Sequence, residues 1–117
     1  MQTVRVLNAT KGTVLGDTVE VADTSLTRMK GLLGKTGLAV GSGMLIFPSQ
    51  AVHTIAMRFP IDVVFIDRNW RVLHVQPALV PNRISGLHWK AQCVLELPIG
   101  AIEQTGTGVG DELLIEE

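Results

Sequence analysis

An aspartate, a histidine and an arginine within one largely apolar segment are the residues best able to do chemistry in this chain. Asp62 is the only polar residue between Ile61 and Ile66. A charged carboxylate in an apolar strand is costly unless it is protonated, paired or hydrogen-bonded. The segment therefore predicts donors close to Asp62, either backbone groups that make it structural or the polar groups of a pocket.

His53 precedes Asp62 in this segment, and Arg58 lies between them. If residues 51–57 form a strand that pairs with residues 61–66, the Asp62 carboxylate could orient His53 as a general base. Arg58 would then bind an anion through its guanidinium group. The alternative is a hydrogen-bonded histidine at a strand edge. The candidate pocket consists of His53, Met57, Arg58 and Asp62.

No catalytic residue can be assigned from this pattern, because neither a serine elbow nor a second carboxylate with acid spacing accompanies the pair. Soft side chains that suit Cu(I) are also present, namely His53, Met57, Met44 and Cys93. Methionines in apolar strands are usually core residues, and the lone Cys93 lies on an apolar strand face. The sequence therefore indicates no metal site and no cofactor.

The basic residues are concentrated in one stretch of the chain. Residues 68–90 carry Arg and Lys but no acid, whereas residues 91–117 carry acids but no Arg or Lys. Two such segments are expected to lie side by side and neutralise each other. A weaker alternative is a nucleic-acid surface, which the net charge of −1 and the 4% aromatic content disfavour. Its residues would be Arg68, Trp70, Arg71, His74, Arg83, His88, Trp89 and Lys90.

Short strands must position all of these residues. A chain of 117 residues with 46% hydrophobic content can bury one core, which predicts a single domain over residues 1–117. A helix is expected at about residues 24–33, with Leu26, Met29 and Leu33 on one apolar stripe, and a helical turn within 98–103. Strand patterns occur at residues 2–7, 18–22, 44–47, 51–57, 61–66, 71–75, 93–97 and 112–115. Glycine-rich turns between short strands predict a mainly β fold, a compact antiparallel β barrel or sandwich with one short helix.

The N-terminal residues read as a strand, without the basic start and apolar run of a signal peptide. No stretch approaches the length of apolar residues needed to span a bilayer. The sequence therefore predicts a soluble, cytoplasmic domain with no membrane span, although a chain trimmed of its signal would look the same.

Four blocks of sequence follow one another along the chain, namely Arg28–Leu32, Gly43–Phe47, Val52–Asp67, and Val94–Gly100 with the terminal Gly110-Asp111. In this order they resemble a bacterial and archaeal family catalogued as domain of unknown function 192. The resemblance covers about residues 24–115 and implies a small β-rich fold without implying an activity. Many relatives have a Trp-Met-Lys-Asn-type segment and an exported or lipid-anchored N-terminus, whereas this chain has His53 to Phe59 there, so no periplasmic role is carried over.

The sequence thus favours an uncharacterised binding or accessory domain with a polar pocket around His53, Arg58 and Asp62. Its partner would be an unknown small ligand or protein. The alternatives are a small enzyme in which Asp62 orients His53 as a general base, and a weak nucleic-acid binder acting through residues 68–90.

Overall fold

The computed structural model describes residues 2–117, and within them the main element is a curled seven-stranded sheet. Its strands follow the spatial order β5-β4-β6-β3-β2-β1-β7. The strands are β1 Thr3–Asn8, β2 Thr13–Ala22, β3 Ser42–Ile46, β4 Ile61–Asp67, β5 Val72–Leu79, β6 Ala91–Pro98 and β7 Leu113–Glu116. The helices are α1 Ser25–Lys30 and α2 Ala101–Thr105.

The two outer strands of this order approach each other, so the sheet curls toward a barrel. An isolated bridge joins Arg71 to Glu112, and Leu113 N donates to the Trp70 carbonyl over 2.8 Å. The prediction of a mainly β, barrel-like fold is therefore confirmed. One pair departs from the antiparallel expectation, because β2 and β3 are parallel. Parallel neighbours need a long crossover, which α1 and the loop after it supply.

Both faces of the central strands are covered by apolar groups. The inner cluster includes Val64 on β4 and Leu95 on β6, whereas the outer cluster includes Phe65 and Val94. β4 pairs with β5 on one side and with β6 on the other. The doubly apolar segment 61–66, predicted to lie centrally, is an interior strand next to the end strand β5, and its side chains have an apolar layer on each side.

Residues 51–57 do not form the predicted strand. The backbone there makes a single bridge, from His53 to Ile84, and Thr54 N donates to the Arg83 carbonyl over 2.8 Å. The segment therefore pairs with a loop and not with β4. A positive φ of 64° at Ala56 ends its extended run.

Helix α1 is shorter than expected, and two residues of its predicted apolar stripe, Leu26 and Met29, are largely exposed, whereas Leu33, beyond its end, packs partly against the outer cluster. Thr24 caps it by accepting a hydrogen bond from Thr27 N, and Gly31, with a φ of 49°, ends it. None of its own residues is buried. Leu32, just after the helix, enters the outer cluster instead. A helix of six residues is too short to present a long stripe to the sheet.

Candidate functional site

Asp62 lies on the inner face of β4 and is only 1% exposed. One carboxylate oxygen accepts a hydrogen bond from Ala78 N and the other from Ile102 N, each over 2.9 Å. Ala78 has a φ of 53°, and Ile102 lies in the first turn of α2. The expected donors are therefore present and are backbone groups. Asp62 joins the bent end of β5 to the start of α2.

The structure brings together only part of the pocket predicted from the sequence. His53 is exposed, and Met57 is buried; both line a cavity beside α1. Arg58 and Asp62 are not part of that lining. Within residues 2–117, His53 and Asp62 share no hydrogen bond, and both Asp62 oxygens are occupied by amides. The carboxylate that would orient His53 in the enzyme hypothesis is thus engaged elsewhere.

The cavity has a volume of about 450 Å³ and lies between α1 and the outer face of the sheet. Residues 48–53 form its other wall. That volume falls within the range of roughly 300–1,000 Å³ typical of small-molecule sites. Its apolar lining includes Met29, Leu32, Leu33, Ile46, Val52 and Met57.

Glu96 on β6 contributes a carboxyl group to this cavity. Its cross-strand neighbours are Met44 on β3 and Val63 on β4, both in the outer apolar cluster. Glu96 is 3% exposed, and its Oε1 atom has no hydrogen-bond partner within the described chain. Buried polar atoms are nearly always satisfied. This oxygen therefore lacks a donor that a ligand in the cavity could supply.

Burial raises the pKa of Glu96 to about 7, because an apolar environment disfavours the charged form. The carboxyl group therefore changes protonation near neutral pH. When protonated, it can donate one hydrogen bond and accept others; when ionised, it only accepts. In the ionised form, or with the proton on the other carboxyl oxygen, Oε1 is available as an acceptor for a donor in the cavity.

The remaining charged groups of the lining are basic. Arg28, Lys30 and His53 line the cavity together with the single acid Glu96. Arg28 is held in place because its guanidinium donates to the carbonyls of Thr24 and Pro48, over 3.3 Å and 3.2 Å. The cavity thus combines one buried acceptor, an apolar body and a basic surround.

The sheet separates Cys93 from the other soft side chains considered for copper. Met44 belongs to the outer cluster, whereas Cys93 belongs to the inner one. Burial also raises the pKa of Cys93 to about 12, which keeps it a thiol. Cys93 is therefore a core residue, in agreement with the expectation from its strand face.

The basic segment 68–90 is not neutralised as a whole by the acidic segment that follows it. Arg71 pairs with Glu112 over 3.3 Å, but the described chain shows no ion pair for the other basic residues of this segment. Trp70 packs against the inner cluster and stacks on Phe47. A Trp in this position is therefore part of the core and is not free to stack on a base.

Two histidines of the same segment pack on an aromatic ring. The His88 ring lies 4.1 Å from that of Phe65 and 4.7 Å from that of His74, measured between centroids. Desolvation, and secondarily the charge of His74, lower the pKa of His88. These rings fasten the loop containing His88 to the outer face of β4 and β5.

Comparison with known proteins assigns the chain to a family. The model of the family DUF192, described as an uncharacterized ACR, matches residues 6–115. The chain belongs to the DUF192 family. This match confirms the resemblance found in the sequence blocks, and the DUF192 description carries no activity.

Two curated relatives and one solved structure are similar to this chain. A UPF0127 protein of Pyrococcus furiosus is 33% identical over 92% of this chain and 94% of its own length. A UPF0127 protein of Thermococcus sibiricus is 30% identical over 92% of this chain and 71% of its own. A Sinorhizobium meliloti protein described as a candidate transcription regulator has the same fold, with a TM-score of 0.83 and 26% identity over 96% of this chain and 91% of its own.

Sequence reasoning missed Glu96 as a site residue. On its strand, Glu96 alternates with the apolar Leu95 and Leu97, and this alternation is typical of a solvent-facing position. The available signal was in β4, where Val63 and Phe65 make the outer face apolar as well. A strand that is apolar on both faces implies a covered outer face, and a Glu on its neighbour would then be buried.

Proposed function

We propose that this protein is a small-ligand binding domain, and that the ligand occupies the cavity beneath α1 and donates a hydrogen bond to Glu96. The observation that carries the proposal is the buried Oε1 atom without a partner. A buried acceptor left unpaired costs about 1–3 kcal/mol. A ligand that supplies the donor recovers this free energy, which favours binding in this cavity.

The lining indicates what kind of ligand fits. Met57 and Ile46 favour an apolar body, Glu96 favours a hydroxyl, amide or ammonium donor at the inner end, and Arg28 and Lys30 favour an anionic outer end. The expected ligand is therefore a small amphipathic molecule with a donor and an acid group separated by an apolar part.

We retain the predicted cytoplasmic location as part of this proposal. Within residues 2–117, no helix is long and apolar enough to cross a membrane.

A thermal-shift screen with hydroxy acids, amino acids and their amides tests the proposal. A ligand at about 100 times its Kd should stabilise the native state by about 2.7 kcal/mol and raise Tm. Replacing the acceptor in Glu96→Leu should abolish the shift. Glu103→Gln is the control, because Glu103 is exposed on α2 and does not line the cavity.

Variants of His53 and Arg58 distinguish the cavity beside Glu96 from the pocket predicted from the sequence. His53→Ala should weaken binding, because His53 lines the cavity, whereas Arg58→Ala should leave it unchanged. Suppose that a ligand still raises the Tm of Glu96→Leu but no longer raises the Tm of Arg58→Ala. That result would contradict the Glu96 site and support the pocket expected from the sequence.

A second candidate function is an enzyme in which Glu96 transfers a proton. Its support is the pKa of about 7, which suits a general acid or base at neutral pH. His53 in the same lining could act as the second proton-transfer group. Turnover of a screening hit that depends on pH near 7 and is lost in Glu96→Gln would favour this function over simple binding.

A further inference from the structure

We propose that the surface beside the cavity mouth docks onto an anionic lipid surface. The docking face consists of residues 50–58 and 82–90. It extends across the cavity mouth to α1, whose Arg28 donates to the Pro48 carbonyl. This inference is independent of the ligand bound beside Glu96.

The two loops of the docking face are fastened to each other by backbone hydrogen bonds. Ser85 N donates to the Val52 carbonyl and His88 N to the Gln50 carbonyl, each over 2.9 Å. His53 and Ile84 form a bridge between the same loops. The side chains they present are therefore carried on an ordered surface.

Large apolar side chains project from this face into solvent. Ile84 is 73% exposed and Trp89 is 78% exposed, and Leu87 lies between them on the same loop. Across the cavity mouth, Leu26 and Met29 on α1 are also largely exposed. Single exposed apolar residues are ordinary, but a group of them marks a surface that binds something.

The same face is basic and free of acidic residues. Neither the stretch between Asp23 and Asp62 nor the stretch between Asp67 and Glu96 contains an acid. Within residues 50–58, 82–90 and α1 the charged residues are Arg28, Lys30, Arg58, Arg83 and Lys90. Since the net charge of the whole chain is −1, this face is more positive than the molecule as a whole.

The docking face has its own unpaired cations. Arg58, Arg83 and Lys90 are exposed, and none takes part in the ion pairs found among residues 2–117. Their charge is thus available to an anionic partner.

A lipid surface satisfies both features of the face at once. Exposed aliphatic side chains with a Trp can enter the boundary between headgroups and acyl chains, while Lys and Arg meet anionic headgroups. A nucleic acid would use the cations but would leave Ile84 and Leu87 in water. Trp89 alone does not make the row of aromatic rings on which successive bases stack.

Vesicle co-sedimentation with the full chain tests the inference. We expect binding to vesicles of phosphatidylcholine with phosphatidylglycerol, little binding to phosphatidylcholine alone, and loss of binding at high salt. Because Trp89 is exposed, its fluorescence should shift to shorter wavelength on binding. The double variant Ile84→Ser/Trp89→Ser should lose binding, whereas Val109→Ser, an exposed apolar residue in another loop, should retain it.

A charge variant provides a second, independent readout. Arg83→Gln/Lys90→Gln should weaken binding to anionic vesicles by about tenfold or more, while Arg5→Gln, on β1, should not. Thermal melting should show the same Tm for all of these variants, since they change exposed side chains. Absence of binding to anionic vesicles, or full binding by both double variants, would overturn the inference. If the protein binds a single-stranded oligonucleotide but no vesicles, the inference is also overturned, and the partner of this face is a nucleic acid.

Discussion

Asp62 and Glu96 are buried carboxyl groups on neighbouring strands, and their surroundings give them opposite roles. Asp62 has a backbone donor for each oxygen, so the fold itself satisfies it. Glu96 lies among apolar neighbours with Oε1 unpaired. At the scale of the residue, the number of donors within reach separates a structural carboxylate from a candidate binding group.

The raised pKa of Glu96 predicts a pH-dependent stability. The pKa is raised from 4.5 to about 7 by burial, so the unfolded chain ionises at lower pH than the native protein. This contribution to stability is complete below the unfolded pKa and is lost as pH rises through the native one, a loss of about 3 kcal/mol. Urea unfolding at several pH values should show that the free energy of unfolding of Glu96→Gln does not fall in this way as pH rises, whereas that of the parent does.

The control for that measurement is Glu103→Gln, because the exposed Glu103 lies outside the cavity. It should keep the pH dependence of the parent. Parallel curves for the parent and Glu96→Gln would show that Glu96 has an ordinary pKa, and would remove the pH-dependent part of the proposed site.

Replacing Asp62 by Asn should destabilise the fold without altering the cavity. An amide presents one acceptor oxygen and one donor nitrogen to two backbone N–H groups, so one hydrogen bond is lost and two donors face each other. We expect a loss of about 2 kcal/mol in the free energy of unfolding. Urea unfolding measures it, with the exposed Asp23→Asn as control; equal stability of parent and Asp62→Asn would contradict the structural role.

At the scale of the elements, the position of Glu96 depends on a close approach of β3 to β6. A Cβ atom at Gly43 would lie 2.7 Å from the Glu96 carbonyl oxygen and 3.0 Å from Leu97 Cδ2. Only glycine permits this spacing, because any side chain would push the two strands apart. The strand pair that carries Glu96 thus depends on a residue with no side chain.

Gly43→Ala should therefore lower the free energy of unfolding by about 2 kcal/mol, the usual cost of overpacking. The matched control is Gly37→Ala, because a Cβ atom at Gly37 meets nothing within 4 Å. Thermal and urea unfolding compare the two variants. If both behave alike, the approach of β3 to β6 is looser than the structure shows.

At the scale of the whole molecule, the curled sheet is joined near its edges by a buried polar network. Asp111, which precedes β7, accepts hydrogen bonds from Asn8 Nδ2, Lys11 Nζ and Gly108 N, each over 2.9 Å. Its backbone carbonyl accepts a hydrogen bond from Val72 N at the start of β5. One residue thus connects β1, β5 and β7.

These contacts, first of all the hydrogen bond from Asn8, lower the pKa of Asp111. The stability they contribute is present above the unfolded carboxyl pKa and is lost as pH falls through the native one. Asp111→Asn should cost about 2 kcal/mol at neutral pH, and the deficit should shrink in acid. Glu112→Gln, which removes an exposed ion pair, is the control, and urea unfolding should show that it lowers the free energy of unfolding by under about 1 kcal/mol. If the loss of stability in Asp111→Asn is the same at every pH, this account is contradicted.

Most of the elements could be predicted because alternation of apolar and polar residues is a local property. Strand patterns at 2–7, 61–66 and 93–97 matched β1, β4 and β6 to within a few residues. The prediction of a strand at residues 51–57 was wrong, because an extended apolar segment has the same pattern whether its partner is a strand or the loop containing Ile84. The prediction that the apolar side chains of α1 are buried was wrong, because the pattern does not distinguish a helix face covered by the sheet from one exposed to solvent.

The sequence by itself determined the mainly β class, the covering of β4 on both faces, the family and the need for donors around Asp62. These follow from residue types along the chain and from the cost of burying a charge. Only the tertiary structure decided that Asp62 is satisfied by distant amides, that Glu96 is not, and that a cavity opens beside Glu96. Burial and hydrogen-bond pairing depend on neighbours brought from β3, α1 and α2, which no local pattern specifies.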